Sequence, residues 1–117
     1  MKLIALETSA KTASAAVVTE GKLLGVSSVT AGLTHSQTIL PLLETLLTGV
    51  SMELSDAGGF AVSIGPGSFT GLRIGISAVK GMAQGLGKGC VGVSTLEGLA
   101  WNFQGLHYTV CPVMDAR

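Results

Sequence analysis

The stretch Gly59 to Gly75, GFAVSIGPGSFTGLRIG, decides how this chain is read. Gly59 to Ile64 is apolar apart from Ser63, which suits a buried strand, and Gly65 to Gly71 then supplies a glycine-rich turn. A helix is expected from about Thr70 to Leu86. Strand, tight turn and helix in succession form the repeating unit of an α/β sheet, so the rest of the chain is read for further units of that kind. Upstream, Lys2 to Glu7, Ala13 to Thr19 and Lys22 to Val29 read as three strands, the last two joined by a hairpin turn at Glu20-Gly21. Thr34 with Gln37 forms a capping-box pattern that opens a helix running to about Thr48, stopped by Gly49 and bent at Pro41. Downstream, Cys90 to Val93 is a short strand, and Ser94 with Glu97 caps a third helix that ends near Phe103. His107 to Met114 is expected to begin one more strand, and Val110 to Asp115 weakly echoes Leu3 to Glu7. The order βββαβαβα implies a mixed sheet with flanking helices. Residues 1–105 are taken as one domain and 106–117 as the start of a second, truncated one.

Composition bounds the function. The chain has 117 residues, a formal net charge of +0, 17 glycines and 12% charged residues, half the usual ~25%. Two complete domains do not fit this length. With no basic run, the chain is not expected to hold nucleic acid by its own charge, so any RNA would be held by a partner. A 47% hydrophobic chain with so few charges calls for cover, from a missing half or a large interface. Leu3 to Leu6 is too short for a signal peptide core and ends at Glu7, and the uncharged stretch Leu23 to Leu43 is too polar to span a membrane. A cytoplasmic protein is expected. Cys90 and Cys111 lie in apolar, strand-like surroundings without metal-ligand spacing and are read as buried, reduced thiols.

Few residues carry obvious chemistry. The Gly65 to Gly71 loop before a helix has the ingredients of an anion site, yet it matches neither the dinucleotide fingerprint nor the P-loop, so a phosphate cradle and a tight structural turn both stand. Glu7, Thr8 and Ser9 end the first strand, where they meet either a phosphate or the local backbone. His35 has Ile39 at the position of a second metal ligand, His107 has no evident partner, and no GxSxG or paired carboxylates occur. No metal site is expected. Trp101 and Phe103 are read as core or domain-seam residues, and Asp115 as the acid ending a late strand. Inside the second helix Gly75, Gly81 and Gly85 each cost about 1 kcal/mol relative to alanine. Ser77, Gly81 and Gly85 lie four apart, as do Gly71 and Gly75, so these stripes admit another backbone closely. On the first helix Ile39, Leu43, Leu46 and Val50 form an apolar row with Leu40, Leu42 and Leu47 off it, wider than one sheet face needs. Contact with an external helix is the expectation, and Gly81→Leu or Leu43→Asp should weaken partner binding more than folding.

Taken together, Leu3 to Ser9 (LIALETS), Thr34-His35-Ser36 with Leu40-Pro41, GPGSFTGLRIG, Gly92 to Leu96 and Asp115-Ala116-Arg117 resemble the bacterial TsaB family, formerly YeaZ, over essentially the whole chain. The resemblance implies an actin-like, Hsp70-like (ribonuclease H-like) ATPase fold. It also implies a non-catalytic scaffold subunit that activates the TsaD threonylcarbamoyltransferase, which makes threonylcarbamoyladenosine beside the anticodon of tRNA. The ATPase TsaE would join the complex, tRNA would be met only indirectly, and a homodimer is an alternative assembly. Carried onto this chain, the pairing residues are His35, Ile39, Leu42, Leu43 and Leu46 of the first helix. From the second helix come Arg73, Ile74, Ser77, Lys80, Gly81 and Gly85. The metal-binding histidines of TsaD have no counterpart here. Glu7-Thr8 stands where many relatives have Asp-Thr, and Ser9, Ala10 and Lys11 follow instead of a glycine-bearing phosphate loop, which weakens hydrolysis of ATP by this chain itself. ATP or ADP at the seam with TsaD, touching Glu7, Thr8, Gly65, Gly67 and Ser68, and an actin-like ATPase or kinase-type enzyme built on the same residues, are the alternatives.

Overall fold

The computed structural model describes residues 1–30 and 34–114. Three antiparallel strands open the chain, β1 (Lys2–Glu7), β2 (Ala13–Thr19) and β3 (Lys22–Val29). The Glu20-Gly21 turn has φ of 45° and 78°, the pair of positive values that a two-residue hairpin turn of this hand requires, and glycine takes the second without steric cost. Glu20 accepts a hydrogen bond from the Met1 ammonium at 2.6 Å, which holds its carboxyl below the ordinary value. Helix α1 (His35–Gly49) leads to β4 (Gly59–Ser63), and α2 (Phe69–Leu86) leads to β5 (Gly89–Val93). A short α3 (Thr95–Ala100) runs into a 3-10 turn at Trp101–Phe103. The sheet order is β3-β2-β1-β4-β5. β1 is central, antiparallel to β2 and parallel to β4.

Alternation along the strands sends Ile4 and Leu6 of β1, Ala15 and Val17 of β2, and Phe60 and Val62 of β4 to one face. Both α1 and α2 pack there, α1 over β2 and β3, α2 over β4, β5 and β1. Helix α1 contributes Ile39, Leu42, Leu43, Leu46 and Leu47 to this core, and α2 contributes Val79 and Ala83. Burying each large apolar side chain is worth about 1.5–3 kcal/mol. The wide apolar band of α1 therefore serves its own sheet. Leu42, Leu43 and Leu46 are core residues and not a free docking face, because α1 spans two strands at once; Ile39 is buried at the edge of the band, and Leu40 stays exposed. Leu43 is only 3% exposed, so Leu43→Asp would bury an unpaired charge and unfold the chain before it reported on binding.

Other expectations also change. Thr34 caps α1 with its backbone, accepting from the Gln37 N–H at 3.0 Å. Its hydroxyl pairs with Ser36 Oγ, so the capping box does not form. Ser94 does cap α3, accepting from the Glu97 N–H. His107 to Met114 forms no strand: among the described residues β5 ends the sheet with β4 as its only partner, and the segment does not add to that edge. Asp115, Ala116 and Arg117 lie outside the described residues. Cys90 and Cys111 are exposed, since β5 is an edge strand and Cys111 sits in this irregular segment. Trp101 and Phe103 are half exposed or more instead of core residues. Among the described residues no helix covers the second face of the sheet, where Ala5, Ala16, Ala61 and Val93 line a shallow depression of about 200 Å³.

The two small-residue stripes of α2 separate cleanly. A Cβ on Gly71 would strike the Thr8 carbonyl and one on Gly75 the Thr8 hydroxyl, whereas Gly81 and Gly85 have nothing within 4 Å of that position. One stripe faces the sheet and the other faces outward. Gly75→Ala is expected to lower stability by about 1–3 kcal/mol through overpacking. Gly81→Ala should raise it by up to about 1 kcal/mol through helix propensity. Urea unfolding of the two variants checks the opposite signs.

Candidate functional site

The carboxyl ends of β1 and β4 lie side by side, and the parallel register that pairs Leu6 with Val62 sets Glu7 beside Ser63. One Glu7 oxygen accepts from the Ser63 hydroxyl and the other from the Ser9 N–H at 2.6 Å. Thr8 is fully buried and donates its hydroxyl to the Gly71 carbonyl at 2.6 Å. The Ser68 N–H donates to the Ser9 carbonyl at 2.7 Å. The Ser68 hydroxyl caps α2, accepting from the Gly71 N–H at 3.2 Å. A side chain on Gly67 would meet Ser9, with its Cβ 2.7 Å away. Glu7, Thr8, Gly65, Gly67 and Ser68 are thus brought together, as the sequence suggested, and the polar groups of Glu7, Thr8 and Ser68 bond to Ser9, Ser63 and Gly71 beside them. The N–H groups of Ser68 and Gly71, which an anion cradle would present, are already bonded. The geometry is that of a stitched structural turn. Ser63 is the partner that sequence reading passed over, although it was the one polar residue of an apolar strand.

The second feature is a groove of about 440 Å³ between α1 and α2. Ser36, Ile39 and Leu40 form one wall, with Thr70, Arg73, Ile74, Ser77 and Ala78 forming the other. Of the residues expected at an interface, Ile39, Arg73, Ile74 and Ser77 line this groove. Lys80, Gly81 and Gly85 continue the exposed face of α2 beyond it. Leu42, Leu43 and Leu46 turn into the core. His35 sits at the start of α1 with its ring nitrogen on the Ala10 carbonyl and ties down the loop after β1. Leu40, 53% exposed, is the apolar residue of α1 that the sheet leaves uncovered, and its position off the main apolar row was the signal for it. Among the described residues, no three His, Cys, Asp or Glu side chains converge in the manner of a metal site.

A five-stranded mixed sheet with its helix pair on one face, entered through this strand–turn–helix junction, defines an actin-like, ribonuclease H-like domain. The family model described as TsaD, tRNA N6-adenosine threonylcarbamoyltransferase, matches residues 8–117, and the chain belongs to that family, on its TsaB/YeaZ side. The tRNA threonylcarbamoyladenosine biosynthesis protein TsaB of Escherichia coli is 35% identical over 120 residues, covering 100% of this chain and 51% of the relative. The protein of the same name from Haemophilus influenzae is 32% identical over 119 residues, covering 100% of this chain and 50% of the relative. YeaZ from Pseudomonas aeruginosa superposes with a TM-score of 0.77 at 34% identity, over 89% of this chain and 49% of that one. The chain spans about half the length of the curated relatives it matches.

The stitching at the strand ends has a measurable consequence. Glu7→Ala leaves the Ser9 N–H and the Ser63 hydroxyl without their acceptor and should lower stability by about 1–3 kcal/mol. Thermal or urea unfolding checks it, and an unchanged midpoint would show that Glu7 is no part of the scaffold.

Proposed function

We propose that this chain is a non-catalytic subunit that binds the threonylcarbamoyltransferase TsaD and supports the formation of threonylcarbamoyladenosine in tRNA beside the anticodon. The observation that carries the reading is the exposed α1/α2 groove. It is a concave apolar surface continued by the open small-residue stripe of Ser77, Gly81 and Gly85, in a chain whose relatives are named as threonylcarbamoyladenosine biosynthesis proteins. A helix laid into such a groove can bring its backbone close to α2, and small residues make that approach inexpensive. The stitched turn at Glu7 and Ser68 supports a supporting role over an enzyme working from that site. A net charge of +0 over the whole chain fits a protein that meets tRNA through its partner. TsaE would join the same assembly, and the complex would work in the cytoplasm; the subunit needs no cofactor of its own in this reading, ATP or ADP at the seam with TsaD being the alternative. A second copy of this chain is the alternative occupant of the groove.

Size-exclusion chromatography with light scattering on this chain, on TsaD from the same organism, and on their mixture tests the reading. A mixed complex is expected, and Gly81→Leu should abolish it while leaving the unfolding midpoint within about 1 kcal/mol of wild type. A chain that elutes unchanged in the presence of TsaD would overturn the assignment.

A further inference from the structure

Arg73 is the one charged residue among those lining the α1/α2 groove. Its guanidinium lies over the Phe69 ring, 5.2 Å from the centroid. Phe69 is itself 72% exposed, so this ring is kept in water and has the guanidinium as its neighbour. A cation over an aromatic face is held in place without being neutralised. Among the described residues no carboxylate lies within ion-pair distance of Arg73. Helix α2 carries no acid, its charges being Arg73 and Lys80, both exposed. The acid of α1 is Glu44, exposed one turn beyond Leu40, and it pairs with neither cation. The helix pair thus presents an apolar groove with a positioned, unneutralised guanidinium on its rim.

Resting on the partner-binding reading above, we infer that Arg73 is the specificity-determining residue of that face. It selects a partner helix that lays small and apolar side chains into the groove and carries a carboxylate at its edge, bound by the guanidinium in a two-pronged hydrogen bond. Arginine suits this role because its planar fork matches a carboxylate, and its stem can lie along the groove wall while the head stays at the rim. Phe69 restricts the guanidinium beforehand, which reduces the ordering cost of binding. A polyanion such as RNA fits poorly, since Leu40, Ile74 and Ala78 make the walls apolar. A second copy fits less well than a carboxylate-bearing partner. A two-fold contact through this face sets two Arg73 and two Lys80 against only two Glu44, so self-pairing keeps an excess of like charge that an acidic partner removes.

The test uses this chain and full-length TsaD from the same organism, titrated at low and at high salt. Arg73→Met keeps the stem and removes the charge, and it should weaken the complex about tenfold or more at low salt. The salt dependence seen with wild type should shrink with it. Arg73→Lys should retain part of the affinity. It should also couple through position 73 to a partner carboxylate under zero-length carbodiimide treatment, read as a cross-linked tryptic peptide. If wild type binds TsaD and Arg73→Met binds equally well, the role of Arg73 falls while the partner reading stands. If wild type forms no complex, both fall. A dimer of this chain through the groove that ignores Arg73→Met, or loss of tRNA retention without loss of protein binding, would likewise overturn the inference.

Discussion

The contact on which the rest depends is the approach of α2 to the end of β1. Thr8, buried without residue, gives its hydroxyl to the Gly71 carbonyl, and Gly71 and Gly75 leave no side chain between helix and strand. A buried hydroxyl left without an acceptor is costly, so this single bond ties the backbone of α2 to the central strand. Ser68 and Ser9 add a second tie through the main chain one turn earlier. With α2 held at its first turns, its rotation about its own axis is set. Val79 and Ala83 fall on the sheet, and Arg73, Ser77 and Gly81 fall on the outside.

That rotation also creates the groove. Helix α1 is committed to β2 and β3 by five buried apolar residues, and α2 is committed to the central strands by its glycines. The two helices are therefore held by different parts of the sheet, and a furrow remains between them that neither can close. Leu40 and Ile74 face it because the residues one position away are needed below. The polar cluster at Glu7, Ser63 and Ser9 belongs to the same construction: it joins the ends of β1 and β4 and fixes the loop from which α2 starts. The same polar residues that end β1 thus also anchor the loop from which α2 starts.

Much of the fold was legible because local rules are strong there. The bounds of β1, β2 and β3, the Glu20-Gly21 turn and the helix after the glycine loop follow from apolar runs and turn residues. The misread positions share a cause, which is that their state is set by neighbours distant in sequence. Cys90 is apolar in context yet exposed, because β5 is an edge strand under an uncovered sheet face. His107 to Met114 has the composition of a strand and forms none. Leu42, Leu43 and Leu46 belong to the core because α1 straddles two strands, a fact of packing and not of periodicity.

The sequence by itself determined the order of strands and helices, the α/β class, the family likeness and the presence of two small-residue stripes on α2, since these depend on residue spacing along the chain. Only the tertiary structure decided which stripe is buried and which is free, which apolar residues of α1 face water, and that the polar residues at the end of β1 satisfy one another. The physical reason is that a helix pattern records its faces but not its rotation against the sheet. Here that rotation is set by hydrogen bonds and close approaches between Thr8, Gly71 and Gly75, residues more than sixty positions apart in the case of Thr8 and Gly71.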